Sequence, residues 1–159
     1  MANSKIAKGH WHIFTFMSIT TAFATAFGKK VAKNWDKIFV LVDIHDTILR
    51  ACYENEETYD YFPQAREALQ MLSDRPDVCL ILWSGCYPDK LEAYLRRFEA
   101  DGIHFDYANE NPEVGNTPMA CFDAKLYFNV GIDDKFGFDP VTDWAEVMEA
   151  VGKWPLAND

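Results

Sequence analysis

Two short stretches constrain this chain more than anything else in it. Lys37–Val42 reads KIFVLV and Val78–Trp83 reads VCLILW. Neither alternates apolar with polar residues, as a strand with one wet face would. Continuous apolar runs of this length suit strands buried on both faces, the condition of a parallel sheet. Parallel neighbours cannot be joined by a hairpin and need a crossover, usually a helix. The intervening sequence supplies crossovers. Pro63 precedes Ala65, Ala68, Leu69 and Leu72 at helical spacing, after a polar and aromatic loop over 51–62. Pro88 opens a second pattern with Leu91, Tyr94, Leu95 and Phe98 on one face, and Gly102 ends it where a C-terminal glycine belongs.

The pattern continues to the C-terminus. His104–Tyr107 reads as a short third strand, and 108–120 as a polar loop. Leu126–Ile132 reads as a fourth buried strand, and Asp139-Pro140 caps a last helix whose face is Trp144, Val147, Met148 and Val151. The order β, α, β, α, β, loop, β, α predicts a Rossmann-like α/β domain over residues 37–159, a parallel sheet with helices on both faces. A length of 159 residues fits one domain, and 49% apolar with 25% charged residues is the balance of a folded soluble chain. Disordered, collagen-like and polytopic membrane classes are excluded.

Charge is unevenly spread. Residues 1–40 carry six lysines and one acid, Asp36, whereas 41–159 carry nine basic and 24 acidic residues. An acidic body of this kind is a poor partner for duplex nucleic acid, whose affinity comes from phosphate neutralisation. Cys52, Cys79, Cys86 and Cys121 form no C-x-x-C pair and no zinc-finger spacing, which reads as free thiols in a reducing, cytoplasmic setting.

Residues 1–36 read as a separate basic and aromatic segment. Within it, 13–28 (IFTFMSITTAFATAFG) carries no charge and is flanked by lysines. Ala24-Thr25-Ala26 resembles a signal-peptide cleavage site. However, four threonines and a serine dilute the run, the flank after it is the more basic, and it falls short of the roughly 20 residues of a spanning helix. A membrane-associated arm over 10–33 therefore stands second. The favoured reading is a helix or strand pair packed on the domain or on a partner chain, including a second copy, with Trp11, Phe14, Phe16, Phe23 and Phe27 as buried contacts.

The polar residues that matter lie where strands end. In open parallel sheets, ligands bind at the carboxyl ends of the strands, beside a switch in strand order. The first strand delivers Asp43 and His45 there, the second Ser84, and the fourth Asp133 and Asp134. Three carboxylates brought together repel one another unless a divalent cation joins them, and an all-oxygen set suits Mg²⁺. A carboxylate beside such a cation is also a plausible nucleophile toward phosphorus. Ser84, Lys125 and backbone N–H groups after Asp43 would supply donors and positive charge to a phosphoryl group.

These residues match a pattern. VDIHDTI (42–48) resembles the D-x-D-x-T motif of the haloacid dehalogenase (HAD) superfamily, LILWSG (80–85) its second motif, Lys125 its motif-three lysine, and VGIDDK (130–135) its fourth motif. The resemblance covers roughly 37–151 and looks like small capless members. It implies Asp43 as nucleophile and metal ligand, with the main-chain carbonyl of His45, Asp133 and Asp134 completing a Mg²⁺ site. Thr47, Ser84 and Gly85 would hold the phosphoryl group, with Lys125 neutralising charge; Lys135 and Lys90 are its rivals for that role. The implied activity is phosphomonoester hydrolysis through an aspartyl-phosphate. One departure stands out: the usual second aspartate is His45. An imidazole there can transfer protons near neutral pH, or the chain is a catalytically attenuated binding protein. Neither insertion point, 49–62 or 108–124, is long enough for a cap domain, which implies an open site. Tyr53, Tyr59, Tyr61 and Phe62 are candidates to line its mouth.

Overall fold

The computed structural model describes residues 18–52, 54 and 58–156. Four strands, β1 (Ile38–Asp43), β2 (Val78–Trp83), β3 (Tyr107–Ala108) and β4 (Val130–Ile132), form one sheet in the order β3-β2-β1-β4. Every pairing is parallel, with Ile38–Asp43 opposite Val78–Trp83 and Val40–Val42 opposite Val130–Ile132. The chain steps outward from β1 to β2 and β3, then returns to the other side of β1 with β4. The switch in strand order lies between β1 and β4, the place where such sheets bind ligands.

Four helices, α1 (Ile19–Lys33), α2 (Ala65–Ser73), α3 (Pro88–Ala100) and α4 (Asp143–Gly152), accompany the sheet. The α/β architecture is as the sequence predicts. The end of α3 shows why Gly102 matters. Its φ is +77°, and the N–H groups of Gly102 and Ile103 donate back to the carbonyls of Glu99 and Phe98, which closes the end of the helix.

Alternation along the strands divides the core in two. Ile38, Val40, Val42, Val78, Leu80, Leu82, Val130 and Ile132 face one large cluster, to which all four helices contribute. Phe39, Leu41, Cys79 and Ile81 face the other side. No described helix covers that second side, where the sequence predicts one. Tyr107 of β3 covers it together with Val114, Leu126, Tyr127 and Phe128 from the irregular segment that follows. Consequently the fourth strand begins at Val130 rather than Leu126, because Leu126–Phe128 pack down onto the sheet instead of pairing within it. Asparagines fasten this segment: Asn111 donates to the Tyr127 carbonyl, and the Asn129 side chain accepts the N–H of Phe39 in β1 at 2.8 Å. The third strand is likewise shifted, to Tyr107–Ala108, and α4 starts after an Asp139-Pro140 turn rather than at it.

Helix α1 is an integral part of the domain. Its N-cap is Ser18, whose hydroxyl accepts the Thr21 N–H. Ile19, Phe23, Ala26 and Phe27 recur at helical spacing and lie in the main cluster, the two phenylalanines at 0% and 2% exposure. Burying each contributes about 2 kcal/mol. The apolar face of 19–33 is thus used inside the fold, so a membrane or partner contact through it competes with the protein's own core. No described helix is long and apolar enough to cross a membrane. Trp11, Phe14, Phe16 and Tyr53 lie outside the described residues. Arg75 ties α1 to the rest: its guanidinium pairs with Asp77 through Nε and Nη2 at 2.9 and 3.0 Å, lies over the Phe27 ring and donates to the Trp154 carbonyl at 2.8 Å.

Candidate active site

Strand β1 ends by placing Asp43 at the switch point, and the chain then turns tightly. Asp46 takes a left-handed φ of +56°, its N–H reaches forward to the Leu49 carbonyl, and those of Ile48 and Leu49 reach back to the Ile44 carbonyl. These bonds leave the His45 carbonyl outside the turn's own ladder among the described residues. Buried Ile44, Ile48 and Leu49 pin the turn from beneath.

Thr47 joins the two strands that meet at the switch. It is fully buried, its hydroxyl oxygen accepts the Asp134 N–H at 3.0 Å, and it lies 3.5 Å from Asp43 Oδ2. Its carbonyl accepts the indole N–H of Trp144 at 3.0 Å. On the other strand, β4 ends at Ile132, and Asp133 caps the short 3₁₀ turn Asp134–Phe136 by accepting the Lys135 N–H at 2.8 Å.

The consequence is a cluster of like charge. One carboxylate oxygen each from Asp43, Asp133 and Asp134 falls within 4.8 Å of the others. Burial, and then the neighbouring Asp133 and Asp134, push the Asp43 carboxyl up to about 6, against a backbone N–H from Ile44 and the Lys135 charge that pull it down. Such a cluster is what a divalent cation neutralises, and its donors are hard oxygens. The set fits Mg²⁺, with the three carboxylates and the His45 carbonyl as the groups that would hold it. Asp43 and Asp134 border an open cavity of about 490 Å³, continued by His45, Asp46, Ser84, Gly85, Cys86 and Lys135, while Asp133 lies buried behind them.

Ser84 is held by a residue that sequence reasoning passed over. Asn109, at φ +57°, accepts the Ser84 N–H and donates to the Ser84 carbonyl, both at 2.8 Å, extending the sheet by one side-chain rung. The signal was an Asn beside a strand end in the DYANENP stretch, a residue type that tolerates left-handed backbone. The Ser84 hydroxyl accepts the Cys86 N–H at 3.3 Å, which shapes the turn. Gly85 lines the cavity, and a Cβ there would meet no atom within 4 Å beyond its chain neighbours.

Lys125 is not brought to this site. It is exposed, in the segment that covers the second face, and it lines no part of the cavity. The lysine there is Lys135, which pairs with Asp134 at 2.9 Å and whose charge acts on both Asp43 and Asp133. The β4 turn delivers a cation two residues after its first carboxylate, so a lysine upstream of the strand is not needed for one. His45 sits half-buried with Nε2 3.1 Å from the Tyr94 hydroxyl and its ring edge-on to the Tyr94 ring. Burial lowers its pKa, only partly offset by Asp46. Tyr59 extends this aromatic contact, while Tyr61 instead donates to Asp101 at 2.9 Å.

No family model matches the sequence, and no curated protein matches it. Among solved structures, a conserved protein of Bacteroides thetaiotaomicron is similar, at 25% identity and a TM-score of 0.58, over 76% of this chain and 93% of that one. The shared feature is the parallel α/β sheet, and its Rossmann-like architecture is the common ground between the two proteins.

Proposed function

We infer that the protein is a divalent-cation-dependent phosphomonoester hydrolase of the HAD type, with Asp43 as nucleophile. One observation carries the reading: the Asp43, Asp133 and Asp134 carboxylates lie within 4.8 Å of one another at the strand-order switch of a parallel sheet. The motif resemblance of residues 42–48, 80–85 and 130–135 supports it. Lys125 is not proposed in the site; Lys135 takes the charge-neutralising role.

In this reading an Asp43 oxygen attacks phosphorus, and the bond to the ester oxygen breaks with its electron pair leaving on that oxygen. The leaving oxygen takes a proton, and water then attacks the aspartyl-phosphate, releasing inorganic phosphate and restoring the Asp43 carboxylate. A bound Mg²⁺ supplies charge neutralisation for the phosphoryl oxygens. Lys135, the Ser84 hydroxyl and N–H groups around Gly85 orient the same oxygens. A half-buried imidazole with a lowered pKa is largely neutral near pH 7, which suits His45 to accepting the proton of the attacking water. Its Nε2 contact with Tyr94 fixes the ring, and the open mouth admits solvent to protonate the leaving group.

The same His45 geometry favours a second reading, a phosphate-binding protein with little turnover, since a neutral imidazole is a poor proton donor. Phosphate release from aryl, sugar and nucleotide phosphates, measured with Mg²⁺ and with chelator, tests both. Turnover abolished by chelator and by Asp43→Asn is the expected result. Metal and phosphate binding without turnover, with activity appearing in His45→Asp, would establish the second reading. Absence of both binding and turnover would refute the first and the second together.

A further inference from the structure

We propose that the protein carries a second ligand site, remote from Asp43, that takes a small quaternary ammonium compound in a cavity walled by Trp35, Phe39 and Tyr127. The cavity holds about 410 Å³, within the range of small-molecule sites. It lies at the opposite end of the sheet from the carboxylate cluster. Phe39 lines it near the start of β1, and Asp43 ends the same strand, about 13 Å further on at a rise of about 3.3 Å per residue. The two cavities share no lining residue, so this site does not depend on the phosphate chemistry of the other.

Separate stretches of chain bring the three aromatic residues together. Helix α1 ends at Asn34, whose left-handed φ of +52° turns the chain so that the Trp35 N–H reaches the Lys30 carbonyl at 2.9 Å. Strand β1 supplies Phe39 and the irregular segment supplies Tyr127, their rings edge-on with centroids 5.9 Å apart. Asn129 holds both: its Oδ1 accepts the Phe39 N–H at 2.8 Å and its Nδ2 donates to the Tyr127 hydroxyl at 3.0 Å. Two walls are thus set before any ligand arrives.

Charge decides what such walls would hold. Asp36, Lys37 and Glu113 also line the cavity. The Lys37 ammonium is committed to Glu113, 3.1 Å from Oε1 and 3.0 Å from Oε2. The Asp36 carboxylate is exposed and has no hydrogen bond or ion pair among the described residues. Two carboxylates against one ammonium leave the lining net negative, which opposes an anion. Aromatic rings attract cations through their quadrupole, and Trp35 already draws one of the chain's own: Lys33 Nζ lies 5.1 Å from its centroid. Lys33 is exposed, so a ligand cation can take its place. A primary ammonium brings three donors, and the Asn129 oxygen is already taken by the Phe39 N–H. A quaternary ammonium has no donor to satisfy and gives up less hydration on meeting an apolar wall.

Choline is the probe, and its neutral analogue, with a tert-butyl group in place of the trimethylammonium, is the control of equal shape. Calorimetry on the full chain is expected to show choline binding roughly tenfold more tightly than the analogue. Asp36→Asn, a change at an exposed position outside the core, should weaken choline a few-fold and leave the analogue unchanged. Trp35→Leu should erase the preference, and Trp35→Phe should retain most of it. Asp43→Asn should alter none of these affinities. Equal binding of choline and the analogue would reveal an apolar cavity without selectivity for a cation and overturn the proposal. A preference that survives both Trp35→Leu and Asp36→Asn, or no detectable choline binding, would overturn it too. A choline affinity that shifts in Asp43→Asn would put the ligand at the other site, with the same result.

Discussion

Replacing Thr47 with valine removes one oxygen from the joint between the two strands of the site. Valine is nearly the same shape, so no cavity opens, and the Trp144 bond to the residue 47 carbonyl survives because it is made to backbone. What is lost is the acceptor of the Asp134 N–H, a bond of 3.0 Å to a residue with no exposure. The 3.5 Å contact with Asp43 is too long to add much. An unsatisfied buried donor costs about 1–3 kcal/mol, offset by up to about 0.8 kcal/mol for the added apolar group. The net expectation is about 1–2 kcal/mol, or roughly 2–8 °C in Tm for a domain of this size. Because Asp134 is positioned by this bond, Mg²⁺ affinity should fall about tenfold, as loss of groups supporting a ligand commonly produces. Urea unfolding in chelator gives the first quantity and Mg²⁺ titration the second. Thr47→Ser should restore most of both. A valine variant with wild-type stability and wild-type Mg²⁺ affinity would refute the claim that this hydroxyl joins the strands.

Three further outcomes are expected. Arg75→Met leaves Asp77 with only Lys30 at 3.4 Å and strips a donor from the Trp154 carbonyl, so unfolding should cost about 3 kcal/mol less, the lower end for breaking a buried pair; a change within about 0.5 kcal/mol in chemical denaturation would contradict it. Lys135→Ala should weaken phosphate binding in calorimetry while Lys125→Ala leaves it unchanged, and the reverse order would restore Lys125 to the site. In chelator, the Asp43 carboxyl titrates near 6 when folded against an ordinary 3.8, so the folded state holds its proton more tightly. That contribution is complete below pH 4 and is lost as pH rises to about 6, a decline that Asp43→Asn should lack; parallel stability profiles for the two proteins would sink the assignment.

How far the sequence speaks for itself depends on whether a residue's role is local. Both six-residue strands were legible because a fully apolar run of that length has few alternatives, and their ends gave Asp43 and Ser84 directly; the end of the fourth strand gave Asp133 and Asp134 although its start was misplaced. Leu126–Phe128 were not legible as what they are. An apolar run reads the same whether it pairs within a sheet or packs onto one, and only the tertiary structure separates the two. Lys125 and Lys135 illustrate the same limit: both flank the fourth strand, and the sense in which the chain crosses the switch decides which one reaches the carboxylates. Asn109 lay beyond composition and periodicity altogether, since its role is a pair of hydrogen bonds to Ser84, the residue after β2. Helix α1 was the hardest segment, because a diluted apolar run with basic flanks fits a membrane, a partner or a core, and Phe23 and Phe27 chose the core.

The pairing of β1 with β4 has a consequence for how the protein is made. Val40 and Val130 are register partners, and the side chain of Asn129 reaches Phe39 across a separation of 90 residues. During synthesis, β1 and β2 can meet long before β4 has left the ribosome, and closing so long a loop is slow relative to local steps. Asp43 therefore exists as a lone strand-end carboxylate through most of the chain's emergence and gains Asp133 and Asp134 only with the last strand. A cation that needs all three would bind the finished molecule and no earlier form, so its presence would bias the final pairing without trapping an unfinished one.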